Sequence, residues 1–183
     1  MRNASPSGDA VGRDKINNDH STNYYLDRKT QIDGWIEKLS HEMRNDTKTQ
    51  IFVDSLQYYF QAYTHDDIIG LEAKLEKAGR SRQKISAMRK KEAFSKLLSN
   101  WSAYPAAQEI IAYFLAKIDT AFESYLVPVL ETASSEEVDI LIKNKLVDPV
   151  LQEMGCGPFM LNNNIVSGMV YWLAEKCYIR WHK

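Results

Sequence analysis

Four stretches of the chain gather side chains able to do chemistry. "HEMRN" at 41–45 begins like the zinc-binding pair of histidines on one helix face, but position 45 holds Asn45 where the second histidine belongs. It reads as a solvated helix face. "HDDIIGLE" at 65–72 clusters Asp66, Asp67 and Glu72. General acid–base or metal chemistry there needs partners converging from elsewhere. The plainer reading has Asp66 or Asp67 capping a helix that starts at Ile68. Cys177 and His182 are close in sequence, but Cys156, His20, His41 and His65 are scattered, short of the three or four converging ligands of a zinc centre. No glycine-rich phosphate loop, dinucleotide fingerprint or nucleophile elbow is present. The expectation is a non-enzyme with no catalytic residue, no metal and no cofactor.

Charge is more informative. Between Glu72 and Lys96 nine basic residues face three acidic ones, a net of +6, and from Glu109 to Glu153 the balance reverses to −6. Such asymmetry holds segments together within a monomer, sets head-to-tail homo-oligomers, or creates a docking face for a charged partner. A solvated helix face is the commonest meaning of such a run. Nucleic-acid binding through Arg82, Lys84, Arg89, Lys90 and Lys91 is the alternative function, without a recognised motif to accompany it. Arg80 follows a helix stop and is a candidate to dock a partner's carboxylate or phosphate. Arg180, Trp181 and His182 are candidate partner contacts, since Arg and aromatic side chains dominate interface energies. The competing reading packs Trp181 into the core and pairs Arg180 locally.

The elements that must position these groups are helices. Asp27 is a plausible N-cap for a stripe of Ile32, Trp35, Ile36, Leu39 and Met43. "NDT" at 45–47 breaks it, and Phe52, Leu56, Tyr59, Phe60 and Tyr63 form a second stripe. Ile68, Leu71, Leu75 and Ala78 form a third, stopped by Gly79. A fourth helix spans about Ser81 to Trp101. Pro105 suits the first turn of a fifth, apolar over a wide arc and the candidate central helix, which Pro128 ends or kinks. Ser134 or Ser135 caps the next, with Glu136 and Glu137 at the positive end of its dipole. Asp148-Pro149 reads as a fresh cap, "GCGPF" at 155–159 as a turn, and "NNN" at 162–164 as the cap of a last helix carrying Ile165, Met169, Trp172, Leu173 and Cys177. This makes an all-α domain of seven or eight helices.

The chain has 183 residues, 44% hydrophobic and 26% charged, with a net charge of −1. That is enough for one sizeable core and too neutral overall to match nucleic acid or an anionic membrane as a whole. No apolar run reaches the roughly 18–20 residues of a membrane span. The polar start and two cysteines give no secretion signal or disulfide framework, so the expected location is the cytoplasm. Residues 1–26 differ from the rest in being rich in Asn, Asp, Ser and Gly. They divide the chain into a flexible or strand-like N-terminal segment, 1–26, and a helical interaction domain, 27–183. Within the segment, "DAVGRDKI" admits a short strand, with Gly12 allowing a bend.

Several phrases occur together in a telling order: "GDAVGRDKI" at 8–16, "DIIGLEAKLEKAGR" at 67–80, "KKEAFSKLL" at 90–98, "PAAQEIIAYFLAKI" at 105–118 and "GMVYWLAEKCYIRWH" at 168–182. In this the chain resembles the C-terminal module of the effector component of bacterial ABC-three-component defence systems. The resemblance implies a module that couples an effector or sensor to an ABC-type ATPase and a small middle component, and it carries over no catalytic residues. The chain departs from the pattern in showing no separate effector domain, so the expectation is either a stand-alone adaptor or a killing activity that sits on another chain. Under the resemblance, Gly12, Arg13, Asp14 and Lys15 become candidate partner contacts in an assembly strand that pairs by edge addition.

Overall fold

The protein is described by a computed structural model covering residues 30–61 and 68–181. The 1–26 segment, with Gly12, Arg13, Asp14 and Lys15, lies outside the described residues, as do Asp27, Tyr63, Asp66, Asp67 and His182. The described residues contain helices α1 (Gln31–Arg44), α2 (Asp54–Phe60), α3 (Leu71–Lys77), α4 (Lys84–Trp101), α5 (Pro105–Tyr125), α6 (Ser135–Leu141), α7 (Asp148–Met154) and α8 (Asn163–Glu175), and no strand. The fold is all-α.

Local sequence explains where most of these begin and end. Thr30 caps α1 in a reciprocal box: its hydroxyl accepts from the Asp33 N–H, and the Asp33 carboxylate accepts from the Thr30 N–H. Gly79, at φ +69°, stops α3. Its N–H reaches the Glu76 carbonyl and the Arg80 N–H reaches Leu75, the two bonds of a Schellman cap. Ser134 and Glu137 form a second box at α6, and the Asn162 side chain accepts from the N–H groups of Asn164 and Ile165 at α8. α8 ends in the same way as α3, except that Cys177 occupies the left-handed position, at φ +67°. Cys177 is therefore the stop of the last helix, not part of its stripe.

Three expected starts are corrected. α2 begins at Asp54, behind Val53, so Phe52 stands before the helix. α3 begins at Leu71 behind Gly70, not at Ile68. Asp148 is the first residue of α7 but caps no fresh helix: α6 and α7 form one unbroken helical run, joined by a π-helical segment at Ile142–Val147. There the Asp148 N–H bonds the carbonyl five residues back, at Lys143. Pro149 has no N–H for Lys145 and its ring crowds that carbonyl, which a widened turn accommodates.

α5 is the core helix, with ten buried residues from Ala106 to Phe122. α1, α2, α8 and the π-segment all pack on it. Phe60 of α2 and Phe94 of α4 meet the Trp172 ring of α8 edge-on, at 5.6 and 5.8 Å between centroids. α4 and α8 run closest together, because a Cβ at Gly168 would fall 2.2 Å from the Lys90 carbonyl oxygen.

Candidate partner-binding surface

Among the described residues four polar ones are buried, Glu42, Lys74, Arg80 and Gln108, and each ties one element to another. Glu42, from the motif read as a solvated face, accepts from the Ala106 N–H at 3.0 Å. A carboxylate thus satisfies an orphan N–H donor at the start of α5, where the dipole favours it. Gln108 accepts from the Val53 N–H at 2.6 Å and donates to the carbonyls of Ile51 and Ser102. Lys74 is fully buried and donates to the carbonyls of Ala174 and Ile179 at 2.8 and 3.3 Å, closing the C-terminal end of α8 with a cation. Glu175 reaches back to accept from the Leu71 N–H at 2.7 Å and pairs with Lys91. The start of α3 is therefore capped from 104 residues away.

Arg80 is 6% exposed. It binds a carboxylate, as its chemistry suggests, but that carboxylate is Asp139 of the same chain, with Gln83 and the Ser135 carbonyl as further acceptors. Its guanidinium is the link between the basic and acidic segments. Trp181 is 4% exposed, set between Phe122 and Tyr171. The core reading holds for its ring, and its indole N–H is buried with no acceptor. Arg180 is exposed, on the rim of a cavity of about 340 Å³ lined by Asp119, Glu123, Tyr58 and Tyr178. Burial, with Glu123 one turn on, pushes the Asp119 carboxyl up to about 6. His182 falls outside the described residues, so these groups are not brought together as one site.

The basic run divides in the same way. Lys74 and Arg80 are interior, Lys84 pairs with Glu72, Lys91 with Glu175 and Lys96 with Glu92. Arg82 and Arg89 remain exposed and Lys90 half-buried. A net of +6 in sequence is thus not a continuous cationic stripe in space. What α4 presents outward is mixed: Ile85 is 71% exposed, next to half-buried Met88, in an open groove bordered by Lys84, Arg89 and Lys91. A large exposed aliphatic flanked by charge has the make-up of a contact surface. Sequence reading passed over Ile85, whose signal is its place off the stripe of Ala87, Phe94, Leu97 and Leu98.

Glu72, from the carboxylate cluster, is exposed and held by Lys84 at 3.0 Å. Among the described residues no group of three or more metal-ligating side chains converges, and no helix is long and apolar enough to cross a membrane.

No curated protein and no solved structure matches the chain. The family model of C-terminal domain 9 (CTD9) of the ABC-three component (ABC-3C) systems matches residues 70–181. Those limits coincide with structure: Gly70 is the N-cap of α3 and Trp181 the buried aromatic that closes the C-terminal tail over α5 and α8. With more than half of its length matched, the chain belongs to the C-terminal domain 9 family of the ABC-three component systems.

Proposed function

We propose that this chain is a non-enzymatic adaptor in a bacterial ABC-three-component defence system, directed against viruses or other mobile elements. It couples an ABC-type ATPase to the small middle component. The observation that carries this reading is the family match from Gly70 to Trp181. The outward face of α4 supports it, with Ile85 exposed beside Met88 and the cation of Arg89 in the same groove. Such a face suits a partner segment that is apolar at its centre and acidic at its edge, since complementary charge steers and orients docking.

The test is co-purification of the tagged chain with the products of its genomic neighbours, with and without ATP. Retention of an ATPase and a small companion, lost on Ile85→Glu, is the expected result. Elution of the chain alone overturns the adaptor reading. Elution with nucleic acid that salt removes transfers the function to the basic segment 74–96, because phosphate contacts weaken steeply with ionic strength.

A further inference from the structure

A second feature of α4 and α8 stands apart from the outward face. On the side of the pair that faces the π-segment, each helix carries a polar stripe. Ser86 and Lys90 lie one turn apart on α4, and Asn163, Ser167 and Tyr171 follow at one-turn intervals on α8. All five line one cavity of about 450 Å³, closed on its third side by the π-segment. That volume is within the range of small-molecule sites.

These groups are not explained by the fold. Among the described residues, the side chains of Ser86, Lys90, Asn163, Ser167 and Tyr171 make no hydrogen bond or ion pair, while the charged groups around them are already matched. Asp139 is held by Arg80 and Gln83, and Lys143 by Asp148 at 2.7 Å. Among the described residues, Lys90 is left as the one uncompensated charge in the cavity lining. The other side of the cavity is apolar, formed by Ile142, Val147 and Val170 beside the Tyr171 ring. Close contact of Gly168 with the Lys90 carbonyl fixes the two stripes relative to each other before anything binds, which lowers the ordering cost of binding.

We propose that this cavity binds a small organic acid of mononucleotide size. Its phosphate or carboxylate is held by Lys90 and the hydroxyls of Ser86 and Ser167, and its flat or apolar part lies against Tyr171, Val170 and the π-segment. A fixed cation amid neutral donors selects for negative charge, and the apolar wall selects against a bare ion.

The test is calorimetric titration of the full chain with AMP, benzoate, inorganic phosphate and adenosine. AMP or benzoate is expected to bind saturably, with inorganic phosphate and adenosine at least about tenfold weaker than the better acid. Lys90→Glu is expected to weaken the acid about tenfold or more, and Ser167→Ala several-fold, with unchanged circular dichroism. Lys90→Gln serves where the reversed charge disturbs folding. Failure of both organic acids to saturate at roughly 10 mM overturns the proposal. So does adenosine binding as well as AMP, or acid binding indifferent to both Lys90 variants. Each of these outcomes is independent of whether an ATPase co-purifies.

Discussion

Helix α8 meets α4 on one side with no side chain between the backbones at Gly168, and on another stands far enough from the Ser135–Met154 run to leave a cavity of about 450 Å³. The close side is fixed by shape. A missing Cβ, the Phe94–Trp172 ring contact and the Glu175–Lys91 pair leave one relative placement of the helices. The open side is fixed by a polar tie, with Arg80 gripping Asp139 and the Ser135 carbonyl, and by the π-segment packing on α5. The contrast separates two tasks. Interdigitated packing supplies position, because interiors tolerate little change of volume. A hydrogen-bonded strut holds a wall at a distance, where direct packing would fill the space.

The sharpest way to break that contrast is to add one methyl group to the close side. Gly168→Ala puts a Cβ 2.2 Å from a backbone oxygen, which cannot rotate away as a side chain can. The gain in helix propensity, about 1 kcal/mol, offsets only part of the overpacking. We expect a net loss of roughly 3 kcal/mol in urea denaturation. A loss under about 0.5 kcal/mol would mean that the two helices slide freely, and the division of tasks would be lost.

The open side is broken by Arg80→Met, which keeps an unbranched apolar stem and removes the charged guanidinium. Asp139, Gln83 and the Ser135 carbonyl lose a shared donor that is 5% exposed on its side chain. The expected cost is about 2–3 kcal/mol, with faster amide exchange across Ser135–Val147 than across α4. Uniform acceleration over both regions would show that the strut has no local role.

Glu175 sharpens the comparison from the other end, since it ties α3 to the close pair. Glu175→Ala removes the acceptor of the Leu71 N–H and the partner of Lys91. Loss of a cap at a partly buried site is expected to cost about 1–2 kcal/mol, read as a lower midpoint at unchanged slope in urea. Glu175→Gln, which retains an acceptor oxygen, should recover about half of it. Equal losses in both variants would assign the effect to charge and not to capping.

How far all this was legible depends on the range of the interaction. Pro105 at the first turn of α5, the Ser134 box, the Asn162 cap and the Gly79 stop are encoded within four residues, and the sequence shows them. Lys74, Glu42 and Gln108 sit at stripe positions of their helices and look in sequence like interruptions. Their acceptors and donors lie 55 to 105 residues away for the bonds that tie distant elements, so nothing local announces them. Arg80 misled for the same reason. Its chemistry suits a carboxylate, but that of Asp139, 59 residues on, is not identifiable without the fold. Ser86–Lys90 and Asn163–Ser167–Tyr171 stand at one-turn spacing, which sequence reading passed over, and only the separation of α8 from the π-segment shows that they line a space.

A site that belongs to neither side of α8 sets the scale for charge alone. Asp119 lies on α5, next to Glu123, at the cavity that Arg180 borders. Its carboxyl is raised from 3.8 to about 6, by burial first and then by Glu123. The folded state therefore holds a proton that the unfolded chain has already released between those values. The stabilising contribution is complete below pH 3.8 and is lost as pH rises to about 6. The shift alone corresponds to about 3 kcal/mol, and solvent screening of a partly exposed carboxylate reduces it to about 1 kcal/mol. Asp119→Asn is expected to gain about that much over the wild type at about pH 7.5 and almost nothing at about pH 4, in matched urea titrations. The gain should appear without any change in the Gly168 or Arg80 effects, since independent sites add. A wild-type and variant difference that stays constant with pH would place Asp119 in an ordinary solvated environment, and its buried neighbour Phe122 would then have to accommodate more water than its 2% exposure admits.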